Sequence, residues 1–317
     1  MLPVYKIPVP TPYAVGPVNS YLIKARPYTL IDPGPETNEA KEALGKGLNA
    51  AGVDIGDIER VVLTHSHSDH CGLANFVCDN SGAKTWVHPY ELAKITGGFV
   101  FVKDKLPIIV ETGVPGYVLE EVARDRDHVP PPYLDPKDAV PVEGGEHLHF
   151  DNGSYLRVMH MPGHAIGHIC LHAPETGEFF AGDFLLAHIT PNPVMELDPE
   201  NPNRRVRTLK QYLNGLKVIE GLDLTTVWTG HGENIYNHRE IVQKGREHHL
   251  CKMKKILGIL RDGKKNAYET SRVLYPHIKG YNILLGISEA LAHLDYLSDD
   301  GKLAQVQHNG VTYFKVA

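Results

Sequence analysis

Several things this chain lacks narrow its reading before any motif does. Its four cysteines, Cys71, Cys78, Cys170 and Cys251, form no Cys-x-x-Cys pair, and 317 residues is far more than the small scaffolds that depend on disulfides. They read as reduced thiols in a cytosolic protein. Nowhere are there about 18 uninterrupted apolar residues, and the start, Met1-Leu-Pro-Val-Tyr-Lys-Ile-Pro8, has no basic stretch followed by a long apolar one. The expectation is a cytoplasmic protein that neither crosses a membrane nor leaves by a standard signal. Positive charge is not in excess either: the net charge of −6 and pI near 6.3 argue against a general nucleic-acid surface, while leaving room for a local basic patch. Gly-x-Ser-x-Gly, a P-loop and Gly-x-Gly-x-x-Gly are all missing, which sets aside serine hydrolases built on that elbow and nucleotide-binding folds. No internal repeat is found.

What is present is a 42% apolar chain, long enough for one large domain and a small one. Its densest chemistry is Thr64-His65-Ser66-His67-Ser68-Asp69-His70, directly after the apolar run Val61-Val62-Leu63. In an extended chain alternate side chains share a face, so His65, His67 and Asp69 point one way. His70 breaks that parity, which predicts a turn into a helix with Ser68 or Asp69 as its cap. Three imidazoles and a carboxylate at this spacing suit a divalent cation better than they suit a polar loop.

The rest reads as a layered α/β pattern. Val4 to Val9, Val18 to Ile23 and Tyr28 to Ile31 are predicted strands closed by Asp32-Pro-Gly-Pro35, with Asp32 either a turn former or a carboxylate that orients a ligating histidine. Helices are predicted for Thr37 to Ala51, capped by Thr37, and from Asp69 to about Cys78, with strands at Ile58 to Leu63 and Lys84 to His88. Residues 90–142 change character and read as a lid or a helical excursion. Strands resume at Tyr155 to His160, and three further loops carry chemistry: Pro162-Gly-His164, Gly182-Asp183 and Gly230-His231-Gly232, each where a strand gives way to a turn. Asn192 to Asn203 reads as loop, and Val206 to Ile219 as an amphipathic helix.

From residue 239 on the composition shifts. Residues 240–317 carry twelve Lys and Arg against eight Asp and Glu, +4, leaving −10 for the remainder. Three helices, to about Leu260, at Asn266 to Leu274 and at Ile287 to Leu297, precede a hairpin around Asn309-Gly310. This is a winged-helix-like pattern, for which a structural or dimerising role is favoured over DNA reading.

Taken together, the four histidine- and aspartate-bearing segments resemble the metallo-β-lactamase superfamily, whose HxHxDH motif stands here as His65-Ser-His67-Ser-Asp69-His70. The resemblance runs over roughly residues 1–240. It implies an α/β four-layer αββα sandwich spanning 1–238, followed by a small helical domain at 239–317. It also implies that His65, His67 and His164 bind one metal and Asp69, His70 and His231 a second, with Asp183 bridging. Asp69 and Asp183 are accordingly the candidate catalytic residues. The implied cofactors are two divalent ions, zinc first, with iron or manganese admitted. Two such ions about 3.5 to 4 Å apart need a bridging carboxylate and hydroxide between them, and a metal lowers the pKa of bound water from about 15.7 to near 7. Where true β-lactamases of the common zinc classes use a cysteine this chain has Asp183, diiron flavoproteins carry Glu where His67 stands, and Gly230-His-Gly-Glu233 departs from the glyoxalase II surroundings. The closest resemblance is to hydrolases with a winged-helix-like tail, both thioesterase-like and endoribonuclease. The expectation is hydrolysis of a carboxylic ester or thioester, a small-molecule substrate, by a metal-bridging hydroxide. A phosphodiesterase or endoribonuclease acting on RNA, and a mononuclear iron oxygenase, are the alternatives. No membrane partner is expected, and a homo-oligomer is admitted.

Overall fold

The computed structural model describes residues 2–97, 104–124 and 133–317. β-branched stretches punctuated by Pro and Gly open the chain as a meander: β1 (Val4–Val9), β2 (Val18–Ile23) and β3 (Thr29–Ile31) pair antiparallel in order. Beyond β3 the sheet runs parallel, so each step needs a crossover. Helix α1 (Asn38–Ala50) leads to β4 (Arg60–Val62), and α2 (Ser68–Cys71) with α3 (Ala74–Ser81) leads to β5 (Lys84–Val87). Helices α4 (Pro89–Ile95), α5 (Leu106–Glu111) and α6 (Gly116–Arg124) precede β6 (Ala139–Pro141), which completes a sheet of order β1-β2-β3-β4-β5-β6.

A second sheet follows from β7 (His147–His149), β8 (Tyr155–His160), β9 (Ile169–Ala173) and β10 (Glu178–Gly182). A small hairpin, β11 (Leu197–Asp198) and β12 (Asn201–Arg205), and helix α7 (Thr208–Glu220) lead to β13 (Thr226–Thr229). The order is β13-β10-β9-β8-β7, with β13 parallel to β10.

Strand alternation explains the layering. Tyr21, Ile23, Ile31 and Val62 of the first sheet and Val158, Ile169, Leu171 and Phe180 of the second are buried in one cluster between the sheets. Their neighbours Leu22, Leu30 and Val61 face the other way, onto Ala40, Leu44 and Leu48 of α1. Cys170, Phe179 and Ala181 face Leu209, Tyr212 and Leu216 of α7. Helix, sheet, sheet and helix stack in that order, the αββα sandwich expected.

The chain ends with α8 (His238–Ile259), β14 (Lys265–Asn266), α9 (Ala267–Leu274), α10 (Asn282–Asp299), β15 (Leu303–His308) and β16 (Val311–Val316). Asn266 caps α9 by accepting from Glu269 N, and Asn309 and Gly310 take φ of 49° and 77° at the hairpin turn. Val242, Met253, Leu284 and Leu291 belong to the same apolar cluster as α7, so the core runs without a break past residue 238. Among the described residues no helix is long and apolar enough to cross a membrane.

Four expectations need amendment. The helix predicted from Asp69 to Cys78 is two helices, because the Leu73 N–H is diverted to Gly34 O at 2.8 Å. A side chain at Gly72 would also strike the backbone of Pro35 and Glu36. Neither Ser68 nor Asp69 caps α2; His67 holds that position and makes no side-chain cap bond. Residues 192–203 are not all loop, since β11 and the start of β12 lie there. The helix predicted over Ile287 to Leu297 starts a turn earlier, at Asn282, where Leu284 is drawn into the core. Of the segment 90–142, residues 98–103 and 125–132 lie outside the described residues. Its α5 and α6 bury Ile108, Ile109, Val118 and Val122 in the cluster that also holds Phe314.

Candidate metal centre

The stretch after β4 is set by Asp32, held at φ 50°, the left-handed region that few side chains other than Asp or Asn tolerate. From there its carboxylate accepts from Thr64 N at 2.8 Å, Thr64 Oγ1 at 2.7 Å and His70 Nδ1 at 2.9 Å. Asp32 is thus turn former and orienting carboxylate at once.

These bonds fix tautomers. Thr64 Oγ1 spends its hydrogen on Asp32, so it accepts from His65 Nδ1 at 3.0 Å. His70 Nδ1 donates to Asp32, His164 Nδ1 to Asn192 O at 3.0 Å and His231 Nδ1 to Pro17 O at 2.9 Å. With each ring neutral, the Nε2 lone pair of all four faces inward. Such support from behind is how ligating imidazoles are held.

The seven residues singled out in the sequence come together. His67 Nδ1 lies 2.9 Å from His65 Nε2 and 3.0 Å from His164 Nε2, and at most one proton on His67 Nδ1 faces two bare nitrogens. His231 Nε2 lies 3.2 Å from Asp69 Oδ2. Asp183 sits between the groups, with Oδ1 3.4 Å from His70 Nε2 and Oδ2 3.8 Å from His164 Nε2 and 3.7 Å from His231 Nε2. Donor atoms cluster as His65/His67/His164, His65/His70/Asp183 and Asp69/His70/His231. The simple parity of an extended strand does not survive: His65 and His67 share a group, but Asp69 goes with His70, because α2 begins between them.

The two sides differ electrically. Burial, reinforced by the neighbouring imidazoles, holds His65 well below its ordinary pKa; burial and His164 push His67 down to about 3. Burial also depresses His164. At His70 burial likewise opposes charge, yet Asp183, Asp69 and Asp32 overcome it and hold its pKa well above normal. His231 is raised in the same way, against burial, by Asp69 and Asp183. Asp69 and Asp183 are lowered despite burial, chiefly by His70. One side is a set of neutral nitrogen donors and the other an anionic pocket that calls for positive charge.

Atoms left with nothing to bind show whether this donor set fits a cation. Among the described residues His70 Nε2, His231 Nε2 and Asp183 Oδ1 are buried without a well-formed hydrogen bond, the nearest approaches being 3.4 Å between His70 Nε2 and Asp183 Oδ1 and 3.2 Å between His231 Nε2 and Asp69 Oδ2. Leaving such atoms unpaired costs roughly 1–3 kcal/mol each, and all three face the same small volume. The residues present fit divalent metal ions.

Sequence reasoning missed the residue behind the first group. Glu91 of α4 is fully buried and accepts from Ser66 N at 3.1 Å, Ser66 Oγ at 2.5 Å and Gly167 N at 2.8 Å. Its only sequence signal is an acidic residue one turn before Lys94, with which it pairs at 3.2 Å. Of the histidines outside the group of seven, His168 stacks on His65 with ring centroids 5.1 Å apart, His88 stacks on His160 at 4.3 Å, and exposed His188 adjoins Gly232.

Residues 13–231 match the model of the metallo-beta-lactamase superfamily. Over 318 residues the chain is 32% identical to the Bacillus subtilis (strain 168) protein named "Probable metallo-hydrolase YqjP", covering 98% of this chain and 97% of that one. A metallo-beta-lactamase family protein from Thermus thermophilus superposes with a TM-score of 0.81 at 30% identity, covering 99% and 98% of the two chains. A shorter likeness, 30% identity over 108 residues, joins 34% of this chain to 28% of the thioesterase pkgB of Emericella nidulans.

Proposed function

Because the chain belongs to the metallo-β-lactamase superfamily, we propose that it is a metal-dependent hydrolase with a dinuclear centre, acting on a carboxylic ester or thioester. The observation that carries this reading is the convergence of inward-facing Nε2 lone pairs with the buried Asp183 Oδ1. His65, His67 and His164 would hold one divalent cation, Asp69, His70 and His231 the other, and Asp183 would lie between. Bound ions of this kind lower the pKa of water toward about 7 and polarise an acyl carbonyl. Imidazole donors suit zinc or iron, and the carboxylate-rich side also suits manganese.

The chain's own groups do the rest. Asp32 and Thr64 keep His65 and His70 in the tautomers that present Nε2. Asp69, its Oδ2 beside His231 Nε2, adds negative charge to the second group. Asp183 balances the charge of both groups. A small acyl substrate is favoured by the likeness to a thioesterase and by the −10 balance outside the C-terminal part, which repels a phosphate backbone. We read α8 to β16 as a winged-helix-like unit whose role is to buttress α7, since they share one core.

The test is metal analysis beside a substrate panel. Hydrolysis of acyl thioesters or esters by protein carrying two divalent ions is the expected result. Cleavage of single-stranded RNA without esterase activity would replace the acyl substrate by RNA. One iron per chain with oxygen uptake would replace the hydrolase by an oxygenase.

A further inference from the structure

The two groups of candidate ligands are held in place by different parts of the molecule. His70 is backed by Asp32 and His231 by the Pro17 carbonyl, both from loops at the ends of the first sheet's strands. The His65/His67/His164 group likewise joins two loops from different sheets, and its three nitrogens meet at 2.9 and 3.0 Å only if those loops keep register. Metal sites of this kind need placement to about 0.5 Å.

Glu91 spans that joint. Its Oε2 accepts from Ser66, which stands between His65 and His67, and its Oε1 accepts from Gly167, three residues beyond His164. A carboxylate is required, because both ends must accept; an amide would turn a donor toward N–H on one side. Gly167 is part of the fit, since a Cβ there would lie 2.8 Å from Glu91 Cγ and 3.0 Å from Oε1. Lys94 holds the charge at 3.2 Å and is itself tied to Glu196 at 2.9 Å, which also pairs with Lys105 at 2.9 Å. The carboxylate is therefore locked in a buried lattice from behind and offers both oxygens forward.

We propose that Glu91 is a positioning residue for the His65/His67/His164 group alone, clamping the loop after β4 to the loop after β8, and that the two metal positions consequently depend on different supports. This inference rests on the dinuclear reading above. Glu91 touches no ligand atom; it acts through the backbone of Ser66 and Gly167.

The experiment titrates metal-free full-length protein with Zn(II) alone against a chromophoric chelator, in two backgrounds. His231→Ala cripples the second group, and His67→Ala cripples the first. In the His231→Ala background, Glu91→Gln is expected to weaken Zn(II) binding about 10- to 100-fold, the usual cost of removing an orienting partner. In the His67→Ala background the same change is expected to leave the affinity alone. Ser66→Ala, which removes one donor and keeps the Ser66 N–H, should show a smaller loss with the same asymmetry, and decides the matter if Glu91→Gln does not fold. Equal losses in both backgrounds, or none in either, would overturn the clamp. Wild-type protein that takes up no Zn(II) would instead overturn the metal reading itself, so the two failures are distinguishable.

Discussion

The first sheet contributes four of the seven candidate ligands from one continuous stretch after β4, whereas the second contributes three, His164, Asp183 and His231, from separate loops after β8, β10 and β13. The first set is organised by its own chain: one buried Asp32 reaches Thr64 and His70 together. The second set is supported loop by loop, with Gly230 N donating to Gly182 O at 2.7 Å between the loops that carry His231 and Asp183. Asn192 O and Pro17 O orient His164 and His231, and Gly230 makes room, for a side chain there would strike Asp183 Oδ1 and His70 Cε1. Sites spread over several loops of a rigid scaffold are common in α/β folds, and here the scaffold is the face-to-face packing of the two sheets.

The comparison is sharpened by breaking it where the halves meet. Asp183 faces both groups, so Asp183→Ala is expected to cost hydrolysis on the order of 10³-fold, about 4 kcal/mol, and to reduce metal uptake at both positions. Steady-state assays with metal analysis check this, and loss of one ion only would assign Asp183 to a single half. Asp32→Ala removes the support of the first-sheet set, leaves Thr64 and the buried His70 without their partner, and puts alanine at a φ of 50°. It should lower the unfolding free energy by about 3 kcal/mol, measured by urea denaturation. Gly230→Ala is the counterpart on the second-sheet side, where displacement of Asp183 should cost about 2 kcal/mol and shift metal affinity. If the glycine change proves harmless, the second set is held less tightly than described.

A fourth test stands outside both halves. His249 and His293 are buried in the C-terminal helices, with His249 Nδ1 donating to His293 Nε2 at 3.0 Å and His293 Nδ1 donating to Glu289 O at 2.7 Å. Burial pushes His293 down to about 4 and His249 lower still. Unfolded, both protonate near pH 6.5, so between pH 6.5 and 4 the unfolded chain binds more protons. Stability should therefore fall as pH falls through that window, by up to about 1.4 kcal/mol per unit for each ring. His293→Leu should remove one ring's share of that slope in urea denaturation at pH 7, 5.5 and 4.5, and an unaltered slope would contradict it.

Much of this architecture was legible in the sequence, because the signals were local. Alternation marked β1, β2 and β8 at their observed ends, Asn309-Gly310 marked the hairpin, Thr37 marked the start of α1, and the clustered histidines marked the centre. What was not legible depends on contacts between distant residues. Gly34 O splits α2 from α3, the backbone carbonyls of Pro17 and Asn192 carry no residue signature, and Glu91 lies in a segment whose irregular composition read as lid or excursion. Parity along Thr64 to His70 failed as a guide to grouping for the same reason: β4 ends at Val62, and the path after it is set by Asp32 and by the start of α2.

Anomalous scattering from crystals of the zinc-loaded protein tests the central claim most directly. Two zinc peaks are expected about 3.5 to 4 Å apart, one bounded by His65, His67 and His164 and the other by Asp69, His70 and His231, with Asp183 between them. A single peak, or zinc bound away from these seven residues, would contradict the account.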